Sequence, residues 1–293
     1  MEANSMKVVP PDPAPTPMPA SPPKSAYVYR FDVYSRISHA ALMVSFLGLA
    51  GTGLPLLFSH ERWAWWLSRL WGGYAAAAAL HRFFAIILIA TFAAHVVKIF
   101  YRVAVKRDFS MLWGPTSMVP QPRDIVEMFR HMKWFVGLGP RPRFERYTYW
   151  EKFDYWAVFW GMFIIGGSGL ILWFPTLFAH LVPGWVLNIA ELIHGEEALL
   201  AVGFIFTVHF FNGHLRPGKF PMDLVIFTGR MPRHEMEEER TDELARLQAA
   251  GKADGLDAPP PTPELLLISR VVGGVSVVFG LFLVALILYA VLL

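Results

Sequence analysis

The chain has no cysteine among its 293 residues. That excludes disulfides, iron–sulfur ligation by this chain, and covalent haem attachment through C-x-x-C-H. Charge is scarce as well, at 17% Asp, Glu, Lys and Arg. No nicotinamide or flavin signature appears, and no nucleic-acid partner is expected. The N-terminus lacks the shape of a signal peptide. Residues 1–26 instead hold eight prolines and little that is apolar, and they read as a disordered cytoplasmic tail.

What the chain does have is apolar sequence: 55% of residues are hydrophobic and the mean hydropathy is +0.40. Five segments approach the length of about 20 residues needed to cross a bilayer core. They run roughly Ile37 to Phe58, Tyr74 to Tyr101, Tyr155 to Phe174, Ile189 to Phe211 and Val271 to Leu293. The expected fold is an all-α integral membrane four-helix bundle, with a fifth C-terminal transmembrane helix packed outside it. The expected domains are the tail 1–26, a four-helix domain over 27–220 that includes the loop 102–152, a charged cytoplasmic loop and linker over 221–264, and the fifth helix over 265–293.

Orientation follows from the basic residues. Ten lie between Arg102 and Lys152 and seven between Arg216 and Lys252. Only Arg62 and Arg69 lie between helices one and two, and none between helices three and four. The positive-inside rule then makes the N-terminus and both long loops cytoplasmic and the C-terminus periplasmic, in a bacterial inner membrane. Trp63, Trp65, Trp66 and Trp71 fit an aromatic belt at the outer interface. Within the first long loop, Ile125, Met128, Phe129 and Met132 recur at helical spacing, which predicts an amphipathic helix on the inner surface. Residues 234–254 could form a soluble helix, and the acidic run Glu235–Glu239 reads as a solvated face.

The chain also repeats itself. Gly51-Thr-Gly-Leu matches Gly167-Ser-Gly-Leu, and the same offset aligns Arg30 with Arg146 and Arg36 with Lys152. Helices two and four correspond in turn, Leu80-His81 to Ile193-His194 and Ala94-His95 to Val208-His209. Two helix hairpins therefore repeat, with helices two and four parallel. Glycines concentrate on helices one and three, where small residues let a flat macrocycle or a neighbouring helix come close.

His81 and His95 are 14 residues apart, and His194 and His209 are 15 apart. At about 100° per residue, 14 steps end about 40° short of whole turns and 15 steps about 60° beyond. Each pair stays on one broad face, its members roughly 21 Å apart along the axis. His81 then lies level with His194 near the outer surface, and His95 with His209 near the inner one. A lone intramembrane histidine is often only a hydrogen-bonded member of the bundle. Two matched pairs point to two bis-imidazole haem irons, which transfer electrons rather than bind oxygen. Ligands for a transported metal ion should cluster at one depth rather than two. A haem-free transporter remains the alternative of another class.

The run His81-Arg-Phe-Phe-Ala with His95-Val-Val-Lys and Tyr101-Arg resembles helix two of the cytochrome b of bc-type complexes, whose histidine spacings it shares. The Pro-Glu-Trp-Tyr quinol motif of that family is absent. Arg36-Ile-Ser-His39 and Leu49-Ala-Gly-Thr-Gly resemble the first helix of the cytochrome b subunits of formate dehydrogenase, nickel-iron hydrogenase and thiosulfate reductase, and Val208-His209-Phe-Phe is similar to their fourth. The resemblance covers residues 30–220. Tyr149-Trp-Glu-Lys-Phe-Asp-Tyr-Trp and Phe210-Phe-Asn-Gly-His-Leu-Arg-Pro resemble a bacterial branch associated with multihaem c-type cytochromes.

The resemblance implies two haem b groups and electron transfer between a quinone pool and a partner redox subunit. That partner is expected to be a periplasmic multihaem c-type cytochrome, or alternatively a dehydrogenase, hydrogenase or reductase subunit. His81 and His194 serve the outer haem in both family patterns. For the inner haem, the formate dehydrogenase pattern pairs His209 with His39 and the bc pattern pairs it with His95. The spacing and the helix repeat favour His95. A third haem on His39 and His214 is a further alternative. Arg82, Lys98 and Arg102 are candidates to neutralise haem propionates. Glu196 and Glu197 are either solvated near the interface, paired with Arg82, or proton acceptors. His39, Asp154 and His214 fall near the inner surface and form a candidate quinone site. Otherwise Asp154 is a solvated acid paired with Lys152 at a loop edge.

Overall fold

The protein, as a computed structural model, is described over residues 25–292. The proline-rich tail read from the sequence therefore falls, over residues 1–24, outside the described residues. Among the described residues, five helices are long and apolar enough to cross a membrane: Val33–Leu57, Tyr74–Val105, Tyr149–Trp173, Trp185–Leu215 and Pro263–Leu292. They form an all-α integral membrane bundle. The end bearing the long loops is called the inner end here, after the orientation expected from the basic residues.

The helices start earlier than their apolar runs because polar caps extend them. The Asp32 carboxylate accepts from the Ser35 amide at the start of helix one. Thr148 and Glu151 form a capping box at the start of helix three, satisfying amides that a helix start leaves free. Asp32 and Thr148 are related by the same offset as Arg30 and Arg146, so the repeat includes the caps. Helix four contains a wide π turn at Ile205–His209. A π turn accommodates one extra residue within a helix. This reconciles the 15-residue interval from His194 to His209 with the 14-residue interval on helix two: the added residue is absorbed locally.

Helix one packs along helix two, helix three against helix four, and helix five against helices one and four. Ala50, Leu54, Val202, Phe206, Phe210, Val277 and Leu283 form the buried core where helices one, four and five meet. Helix five packs on the four-helix bundle and contributes Val277 and Leu283 to this core. The glycine faces allow this: a Cβ at Gly280 would lie 2.7 Å from Phe210, and one at Gly51 2.9 Å from Phe279.

A small polar cap closes the inner end. Strand β1 (Tyr27–Tyr29) pairs antiparallel with both β2 (Arg230–Pro232) and β3 (Asp257–Ala258). Val28, Val225, Met231 and Met236 form a second apolar cluster beneath them. Gly229 makes the turn into β2 at φ +75°, where a Cβ would lie 2.6 Å from the Phe31 carbonyl. The charged stretch expected to be one helix forms two, Arg233–Glu239 and Thr241–Ala249. The helix expected in the first long loop runs Pro122–Phe135. It buries Asp124 and Glu127 and exposes Ile125, Phe129 and Met132. Lys152 binds Asp124 at 2.8 Å in a buried pair, so Lys152 is not the partner of Asp154.

The repeated arginines meet on the cap. Arg30 donates to the Arg146 carbonyl, and Arg146 donates to the Arg30 carbonyl at 2.6 Å. Both reach Glu243, at 2.6 Å and 3.2 Å. Burial disfavours the Glu243 charge, but Arg30 and Arg146 outweigh it and hold its carboxyl below the usual carboxylate range. Removing one member of such a buried set strands the others. Glu243→Gln should therefore destabilise the protein by about 3–5 kcal/mol, read as a lower unfolding temperature in detergent. Because the folded carboxyl titrates below its usual value of 4.5, the wild-type advantage should be full above that pH and disappear as the pH falls through the lowered value.

A candidate two-level histidine site

A cavity of about 720 Å³ runs between the hairpins. His81 and His194 line it toward the outer end; His39, Asp154, His209 and His214 line it toward the inner end. Apart from these groups, Arg82, Tyr155 and Glu191, its walls are almost wholly aliphatic, aromatic or glycine.

The outer pair is held symmetrically. The His81 and His194 rings face each other with centroids 6.2 Å apart and planes at 77°. Two imidazole nitrogens each about 2 Å from one metal, with each ring centroid roughly 1 Å further back, would place the centroids about 6 Å apart. The separation would therefore suit one metal held by both imidazoles. The backing of each ring repeats too. His81 Nδ1 lies 3.1 Å from Thr52 Oγ1. His194 Nδ1 lies 3.0 Å from the Ile165 carbonyl and 3.3 Å from Ser168 Oγ. Both hydroxyls already donate to helix carbonyls, Thr52 to Gly48 at 2.6 Å and Ser168 to Ile164 at 2.7 Å. They can only accept from the rings, as the Ile165 carbonyl does. Each Nδ1 therefore carries the proton, and each Nε2 keeps the lone pair a metal needs.

The glycines of the repeat complete the seat. A Cβ at Gly53 would lie 2.9 Å from His81 Cε1, and one at Gly169 3.0 Å from His194 Cε1. Gly-Thr-Gly and Gly-Ser-Gly are thus ring seats: the hydroxyl sets the tautomer and the following glycine makes room. Reading the sequence located the repeat and credited its glycines with close approach, but missed the hydroxyls. The signal was available in the small polar residue between the glycines of both copies.

The inner level is arranged differently. His209 Nδ1 bonds Asp154 Oδ2 at 2.9 Å, which again leaves Nε2 free. His214 lies edge-on to His209, with centroids 6.4 Å apart. His39 meets the edge of Phe227, and no hydrogen bond engages its ring among the described residues. His95 does not line the cavity. Its Nε2 is taken by the Tyr155 hydroxyl at 2.8 Å. Equal depth, the ground for pairing His95 with His209, carries no information on ring direction.

The remaining sites separate. Arg82 borders the cavity over the Trp173 ring. Lys98 sits over Tyr34 and beside Asp32, and Arg102 pairs with Asp108, so neither of these two cations lines the cavity. Glu197 accepts from the Trp160 indole at 3.2 Å. Glu196 is exposed.

No protein-family model matches the chain. Over 183 residues, 61% of this chain, it is 24% identical to the cytochrome b556 subunit of the nitrate-inducible formate dehydrogenase of Escherichia coli K12, covering 74% of that protein. The corresponding subunits of Escherichia coli O157:H7 and Shigella flexneri match equally well. The chain thus resembles membrane cytochrome b subunits of the formate dehydrogenase type.

Thr52→Val is nearly isosteric and removes one acceptor from His81. If the pair holds a metal, affinity at the outer level should fall about 10–100-fold, as for other partners that orient ligating histidines. Gly53→Ala should displace the ring and lower it further. The readout is the amount of metal cofactor retained at the outer level, with the inner level as internal control and helicity by circular dichroism unchanged.

Proposed function

We propose that the chain is a di-haem b-type cytochrome subunit that carries electrons across the bacterial inner membrane between quinone and a partner redox protein. The observation that carries this reading is the His81–His194 pair, spaced for one metal, with both Nδ1 atoms engaged and both Nε2 atoms free. Haem iron supplies the one-electron chemistry when bound. His81 and His194 would hold the outer group and His209 the inner one. The apolar walls exclude water, and Arg82 is placed to neutralise a propionate at the outer level.

For the second inner ligand this reading takes His39 over His95. Two observations support it. His39 borders the cavity with an unengaged ring, whereas His95 does not line it and its Nε2 is committed to the Tyr155 hydroxyl. The repeat agrees once the whole hairpin is considered. His95 corresponds to His209, and Tyr155 corresponds to His39. The contact between His95 and Tyr155 is therefore the counterpart of one between His209 and His39, with a phenol where the other hairpin has an imidazole.

Quinone exchange is assigned to the inner end. His214 Nδ1 and Asp154 Oδ1 are buried there without hydrogen-bond partners, and a buried polar atom in that state calls for a ligand or water. The group carries His39, Asp154 and His214, side chains of the kind that hold and exchange protons. For the partner, the motifs Tyr149–Trp156 and Phe210–Pro217 support a periplasmic multihaem c-type cytochrome. The likeness to a formate dehydrogenase subunit supports a dehydrogenase partner as the second reading.

The test is haem quantitation on purified protein as the pyridine haemochrome, with about two per chain expected for two bis-imidazole sites. A folded, active and colourless protein would sink the reading in favour of a transporter. For the inner ligand, His39→Ala should lose the inner low-spin signal and keep the outer one, while His95→Ala should keep both. Loss of the inner signal in His95→Ala alone would reverse the assignment.

A further inference from the structure

Helix five also reaches the cavity on its inner side. Gly273, Ser276 and Val277 of helix five line it there, together with Phe227 from the inner cap. His214, only 9% exposed, borders it from helix four, and its Nδ1 is the buried atom that lacks a partner. Helix five packs closely on the inner cap here: a Cβ at Gly273 would lie 2.6 Å from Met222 Sδ and 3.2 Å from Phe227 Cζ. The walls are apolar and partly aromatic, and His214 Nδ1 stands among them unpaired.

We propose that this chamber between helices one, four and five holds the ring of the quinone, with His214 Nδ1 hydrogen-bonded to one ring oxygen. The proposal rests on the reading that the inner level exchanges electrons with quinone, and assigns that exchange to one side of the cavity. Three features select such a ligand. A neutral ring pays no charge-desolvation cost among Phe227, Val277 and Gly273. A ring oxygen satisfies the imidazole nitrogen that the protein leaves unpaired. His214 also lies beside His209, so a ring bonded to it sits next to the proposed inner haem ligand. Helix five thereby becomes a wall of the binding site, and side-chain volume at position 276 sets what enters.

The probes are decylubiquinone and menadione, titrated against haem-loaded protein in detergent and read by tryptophan quenching and by the optical shift of the inner centre. Ser276→Leu fills the chamber from helix five, far in sequence from every histidine. It should raise the dissociation constant about tenfold or more while both haems stay at wild-type content. Ser276→Val serves if the leucine variant does not fold. His214→Phe should weaken binding to a similar degree and also keep both haems. If the wild type binds a probe and the position-276 variant binds it equally well, the chamber is wrong although the quinone reading stands. Loss of a haem in His214→Phe would make His214 a ligand and overturn the assignment. If the wild type binds neither probe, the chamber fails together with the quinone reading on which it rests.

Discussion

The hydrogen bonds that tie His81 Nδ1 to helix one and His194 Nδ1 to helix three set the geometry on which the bundle depends. An imidazole has two nitrogens, and only the one without a proton can accept a metal. In an apolar interior no water is at hand to satisfy the other, so the protein must do so. It uses a pre-committed hydroxyl on the facing helix for each ring, joined for His194 by the Ile165 carbonyl. That requirement brings helices one and two, and three and four, into close contact. It also explains why each of the two ring seats carries a glycine.

The ionic cap at the inner end works on the same pseudo-symmetry. Arg30 and Arg146 precede equivalent helices, exchange hydrogen bonds with each other's carbonyls and converge on Glu243. Two like charges side by side would repel strongly away from water, and the shared carboxylate makes the arrangement tenable. The starts of helices one and three are tied together through a residue that lies outside the repeat. The two hairpins therefore have a common origin for their depth, from which the histidine levels are counted.

Symmetry is kept at the outer level and broken at the inner one. His81 and His194 are counterparts and meet each other, so the repeat alone pairs them correctly. His95 and His209 are counterparts as well but do not meet: each turns to a different residue of helix three, one to Tyr155 and the other to Asp154. A residue and its symmetry mate face each other only near the axis relating them. Off that axis each faces a third residue, and the copies are then free to diverge, as His39 and Tyr155 have. Helix five adds a second asymmetry. It packs on helices one and four and on the inner cap, and gives one side of the inner cavity a wall without a counterpart.

Hydropathy, charge placement and histidine spacing are properties of the chain in one dimension. From them the sequence by itself determined the five spanning helices, their repeat, the amphipathic helix near residue 125 and the outer histidine pair. These follow from helix pitch and bilayer thickness, which no tertiary contact alters. The tertiary structure decided which nitrogen of each ring is engaged, which of His39 and His95 borders the cavity, that Lys152 pairs with Asp124, and that helix five belongs to the wall. Each of these depends on the direction of a side chain and on a neighbour supplied by another helix. Depth along a helix leaves both open, because residues at one level can point to any side of it.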